Sequence, residues 1–285
     1  MSRKYNVVKL ILDKSIFDEN VIHIILKLYW DLLPKKKILL DWIPLDKLNW
    51  SNLSANKKAL DLLKDNIDKI DWSLLSSNSN AIELLSQNKD KINWKLLSLN
   101  KNAIMLLENN IDKINWQRLS ANKNAIHLLK DNIDKIYWNI LSLNKNAITI
   151  LEQNIDKIDW DLLSENINAI ELLKQNYGKI NWTVLSSNKN AIALLEQNID
   201  KINWSMLSSN YYAMELLTKN QDKIDWNILS LNINAITLLK NNIDKIDLSM
   251  LSYNKNAIEI LKQQKIDWKI LSRNPSIFED ERMPI

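Results

Sequence analysis

A chain of 285 residues with 46% hydrophobic and 25% charged side chains has enough apolar content for a large packed core, and its formal net charge of +4 is small for that length. It has no cysteine, which excludes disulfide and thiolate chemistry, and a single glycine, which excludes a glycine-rich phosphate loop. No apolar run approaches the ~18 residues of a spanning helix, and the opening MSRKYNVVKLILDK lacks a signal-peptide core, so the expectation is a cytoplasmic protein with no membrane partner.

Residues 1–48 are helical in pattern but out of register with the rest of the chain. Asp18 is placed to N-cap a helix carrying Val21, Ile22, Ile25, Leu28, Tyr29 and Leu32 until Pro34 stops it. Trp30 followed by Leu33, and LDKLNW at 45–50, imitate pieces of the later repeat. The segment is therefore expected to be a helical N-terminal cap of an array.

From 49 to 274 one motif recurs. Trp50, Trp72, Trp94, Trp116, Trp138, Trp160, Trp182, Trp204 and Trp226 are each 22 residues apart, Leu248 takes the next slot and Trp268 closes about eleven units. A period in this range marks stacked repeats. In the unit 71–92, Asp71 is an N-cap for a short helix from Trp72 to about Ser77, and Asn78 for a longer one to about Gln87. Asn88 is expected to end that helix in left-handed backbone, asparagine standing in for the missing glycine. A leucine-rich repeat has a similar period, but its strand needs alternating leucines, whereas Trp-x-x-Leu and Ala-Ile-x-Leu-Leu are helical spacings. The expected fold is all-α, an α-solenoid of two-helix repeats with the tryptophans in the core. The Asn column from Asn56 to Asn274 and the Ser column from Ser54 to Ser272 read as caps or inter-repeat ladders.

Residues 275–285 form a C-terminal cap and tail. Pro275 directly follows Asn274, as a first helical residue follows its cap, and the acidic segment to Pro284 is expected to fray.

The units and the closing Asn274-Pro275-Ser276-Ile277-Phe278-Glu279 resemble the tandem asparagine-rich repeats, of the pattern SxNPxAIxLLxxNxDKIxW, of uncharacterised proteins encoded by giant DNA viruses of amoebae. The resemblance covers about residues 45 to 281. The family's proline after the first Asn is mostly Lys here, as at Lys101, Lys123, Lys145 and Lys189, and persists at Pro275. The resemblance implies a viral origin, in host cytoplasm or virion, and carries no activity, cofactor or site residue with it.

The residues themselves offer little chemistry. His23 and His127 are the only histidines and lie far apart in sequence, so neither a metal cluster nor a histidine-dependent triad can be assembled locally. The Asp-Lys pairs read as a structural charge ladder. No enzyme, cofactor or metal is expected. Lys57, Lys101, Lys123, Lys145, Lys189 and Lys255 form a recurring basic column, which is the case for nucleic-acid binding. It is interrupted by Ser79, Ile167, Tyr211 and Ile233 and flanked by glutamates such as Glu108 and Glu152. The leading reading is a non-enzymatic scaffold that binds a protein partner through Ile167, Tyr177, Tyr211, Tyr212 and Ile233, apolar residues placed where other units are polar. Tyr253 extends that irregular region. Nucleic-acid binding and a structural virion component are the alternatives.

Overall fold

The computed structural model describes residues 21, 23–25, 27–28, 38–264, 268–272 and 274–277. Among these every regular element is a helix. Val21, His23, Ile24, Ile25, Lys27 and Leu28 are helical as their spacing predicts, whereas Asp18, Ile22, Tyr29, Trp30, Leu32, Leu33, Pro34 and the tail beyond Ile277 lie outside the described residues. The chain divides into two compact units, Met1–Asn93 and Trp94–Ile285. Each is built from the same repeat.

In the first unit the repeat at 71–92 shows the construction. Asp71 is extended, and its carboxylate accepts the Leu74 N–H at 3.0 Å, capping the helix Trp72–Ser77. That bond, with a smaller contribution from Ser51, holds the Asp71 carboxyl below the ordinary carboxylate range. The second helix, Ile82–Gln87, is no longer than the first. Asn78 does not cap it directly: its Oδ1 accepts the Asn80 N–H at 3.1 Å and its carbonyl the Ala81 N–H at 3.1 Å, so residues 79–81 are spent on a tight turn. Pro275 likewise opens a 3-10 turn, Pro275–Ile277, rather than an α-helix. A third helical piece, the 3-10 turn Lys89–Lys91, then leads to Ile92.

Asn88 is not left-handed. Its φ is −132° and ψ 54°, and among the described residues nothing, Gly178 included, has positive φ. The reason is a cheaper way to satisfy the helix end: the Asn88 amide donates back to the Leu84 carbonyl at 2.9 Å. Asn132, Asn154 and Asn198 do the same to Leu128, Ile150 and Leu194.

Helices of four to six residues are far below the ~12 needed for stability alone, so packing must supply what propensity cannot. In the second unit the first helices of neighbouring repeats pack on one another, as Trp116–Ser120 on Trp138–Ser142 and Trp160–Glu165 on Trp182–Leu185. The core repeats too: Leu141, Ala147, Ile150 and Leu151 are fully buried, Ile158 nearly so.

Two polar ladders are buried within this core, as their once-per-unit recurrence predicts. Ser142 Oγ donates to the Trp138 carbonyl at 2.8 Å and accepts the Asp159 N–H of the next repeat at 3.1 Å. Asn144 Nδ2 donates to the Ser120 carbonyl at 3.0 Å and the Asn122 carbonyl at 3.3 Å of the repeat before. No buried side-chain polar atom among the described residues lacks a partner.

The tryptophans are not core. Each from Trp50 to Trp226 is half-buried, and over eight of these nine rings lies the lysine 19 residues ahead, at the end of the same repeat: Lys69 Nζ 4.8 Å from the Trp50 centroid, Lys157 4.9 Å from Trp138, Lys245 4.9 Å from Trp226. Trp268, with no Asp-Lys turn after it, is 73% exposed. An indole whose N–H stays near solvent and whose face meets an ammonium is stable without full burial. The invariably spaced aromatic looked like core because sequence periodicity reports a contact, not its depth.

Candidate interaction surface

The turn between the two helices of a repeat has the form Asn-x-Asn. The first Asn is the residue of the buried ladder. The second donates its amide to the carbonyl of the x residue one repeat earlier, as Asn124 to Lys101 at 3.0 Å and Asn146 to Lys123 at 2.9 Å. The backbone of the x residue is thereby pinned from two sides. The basic column of Lys101, Lys123, Lys145 and Lys189 occupies this slot, so it lies in the turns and not on the second helix.

Ile167, Tyr211 and Ile233 occupy the same turn slot, so they too precede the second helix, which does not begin directly after the first Asn as expected. The Ile167 carbonyl accepts from Asn190 at 2.8 Å, that of Tyr211 from Asn234 at 3.0 Å and that of Ile233 from Asn256 at 2.9 Å. Tyr211 is exposed, and Ile167 and Ile233 are half-buried. Tyr212 replaces the second Asn of its turn, has no amide to donate to the Lys189 carbonyl, and is 63% exposed. Instead the Lys189 ammonium lies 5.5 Å from its ring centroid. Tyr253, exposed, precedes the next turn.

Tyr177 does not join this row. It sits in the 3-10 turn Tyr177–Lys179, edge-on to Trp182 with centroids 5.2 Å apart. Its hydroxyl donates to Asn198 Oδ1 and accepts from Lys201 Nζ at 2.8 Å, while the same ammonium lies 4.1 Å from the Tyr177 centroid and 5.1 Å from that of Trp182. Its ring is engaged in internal packing between consecutive repeats.

The exposed face of the second helices carries mixed charge that pairs locally. Lys174 meets Glu171 at 2.8 Å, Lys219 meets Glu215 at 2.6 Å and Lys262 meets Glu259 at 2.7 Å. The Lys219 hydrogen bond, then its charge, holds the Glu215 carboxyl below its ordinary value. His127 is exposed and contacts Glu108 of the preceding repeat. Among the described residues no three metal-ligating side chains share a site.

One departure went unread in the sequence. Every cap slot before the array's Trp or Leu holds Asn or Asp except Tyr137, and the helix Trp138–Ser142 has no side-chain cap. Tyr137 is 49% exposed and borders an open groove. The tripeptide IYW in place of INW or IDW was the signal.

Fold and surface together define an all-helical repeat protein of the α-solenoid class. No known protein family, curated protein or solved structure matches the chain. No described helix is long and apolar enough to cross a membrane.

Proposed function

We propose that the protein is a non-enzymatic scaffold that binds a protein partner through the adjacent turns carrying Tyr211, Tyr212 and Ile233. One observation carries the reading: Tyr, Tyr and Ile project from turns whose backbone is pinned by the Asn234 and Asn256 amides. Rigid aromatic side chains on a fixed frame lose little entropy on binding, the property of interface anchors. Ile167 lies two repeats away, separated by Lys189, and belongs to the rim of this surface; Tyr177 is set aside because its ring is committed to Trp182 and Lys201. By resemblance the partner is a viral or host protein met in host cytoplasm.

The test is the double variant Tyr211→Lys, Ile233→Lys, which installs the residue most other turns carry. Capture of the partner should be lost with helicity and melting unchanged. Retention of the same proteins at wild-type level sinks the reading. Nucleic-acid binding, the second reading, is favoured by the lysines of the other turns. It predicts the reverse, since two added cations strengthen retention on nucleic acid and binding falls steeply with salt.

A further inference from the structure

The groove beside Tyr137 has a volume of about 520 Å³, inside the range of about 300 to 1,000 Å³ typical of small-molecule sites. Ile114 and Ile136 are its buried residues, and Asn115, Trp116, Gln117, Asp134, Lys135 and Tyr137 complete the lining. One of its residues, Tyr137, departs from the repeat, standing where every other cap slot holds Asn or Asp. In three other repeats the residue after the Trp bonds the cap residue of the next: Asn93 Nδ2 donates to Ser73 Oγ at 2.7 Å, Asn181 Nδ2 to Asp161 at 2.7 Å, and Ser205 Oγ to Asp225 at 2.8 Å. Gln117 and Tyr137 hold the equivalent positions. A phenol ring in place of the Asn or Asp leaves the following helix without a side-chain cap. Asn115 uses Oδ1 to accept the Arg118 N–H at 2.9 Å, which turns its amide N–H₂ to other partners.

Local stability is given up at this position, and what replaces it is an exposed aromatic ring beside the amides of Asn115 and Gln117. Breaking a local rule without structural gain is the mark of a functional position. The lining also defines the ligand. Asp134 and Lys135 cancel, so a strongly charged ligand gains nothing, and four polar side chains exclude a purely apolar one. Lys135 Nζ already lies 4.9 Å over the Trp116 ring, so Tyr137 is the open stacking face. An aromatic face for ring C–H groups, with amides and a carboxylate that donate and accept beside it, complements a polyhydroxylated ring.

We infer that the groove between Trp116 and Tyr137 is a saccharide-binding site for a neutral hexose unit. It stands independently of the scaffold surface at Tyr211. The test is saturation-transfer NMR on the full chain with glucose, galactose, mannose, N-acetylglucosamine and their β-linked disaccharides. Transfer should reach at least one sugar, strongest at its ring C–H protons. Tyr137→Asn restores the repeat's own cap, so it should weaken that binding about tenfold while raising the melting midpoint by about 2 to 4 °C. Gln117→Ala should weaken binding without that rise, and the Tyr211→Lys, Ile233→Lys variant should bind sugar as wild type does. Absence of transfer to every sugar in the panel, or transfer unchanged in Tyr137→Asn, overturns the inference.

Discussion

Asn144 Nδ2 lies 3.0 Å from the Ser120 carbonyl oxygen, a buried bond that reaches back 24 residues into the preceding repeat. The same amide group also bonds the Asn122 carbonyl, and its Oδ1 accepts the Asn146 N–H at 3.2 Å. One side chain thus closes the first helix of one repeat and starts the turn of the next. Asn144→Ala should strand these buried groups and destabilise the protein by about 2 to 4 kcal/mol in urea unfolding, several times the cost of an exposed change such as Lys145→Ala, about 0.5 kcal/mol or less.

Asn144→Asp separates donor loss from shape. A carboxylate there faces two carbonyl oxygens without water, so the folded-state pKa is raised. Both states are protonated below the unfolded aspartate range and the penalty is then small; it grows as pH rises through and above that range. Melting followed from acid to neutral pH should show the Asp variant falling progressively below wild type, and a constant gap would contradict a buried donor role.

For Trp138 and Lys157, whose Nζ is 4.9 Å from the ring centroid, the half-buried geometry predicts unequal effects. Trp138→Ala should cost about 1 to 3 kcal/mol, less than full burial of an indole implies, and Lys157→Ala about 0.5 to 1 kcal/mol. A double-mutant cycle should return a coupling of about 0.5 to 1 kcal/mol. Zero coupling would mean that the lysine covers the ring without attracting it.

Asp71 supplies a pH test on an existing group. Its folded carboxyl is lowered by the Leu74 N–H, so its contribution is present above the ordinary value of 3.8 and is lost as pH falls through the lowered value. Asp71→Ala should therefore cost about 1 kcal/mol at neutral pH, with the difference from wild type shrinking in acid. Thermal melts at a series of pH values distinguish this from a pH-independent packing loss.

Much of this fold is legible in the chain because its signals are local. The first helices follow from Trp-x-x-Leu with Asn or Asp before the Trp, since a cap and its N–H partner are three residues apart. The second follow from Ala-Ile-x-Leu-Leu, and the Asn and Ser columns announce ladders by recurring once per repeat. The scaffold surface is legible only in part: Tyr211, Tyr212 and Ile233 break the pattern visibly, but Tyr177 breaks it as plainly and turns out to pack against Trp182.

What the chain alone determined is its period, its helical class and the caps of its first helices, all set by contacts within a few residues. Tertiary structure decided the rest. Whether Asn88 turns left-handed or reaches back to Leu84 cannot be told locally, because either answers the same helix-end carbonyls. The depth of the tryptophans depends on a lysine 19 residues ahead that covers a ring face and leaves the indole half in solvent. The groove at Tyr137 is lined by residues 114–117 of one repeat and 134–137 at its far end, which only packing brings together.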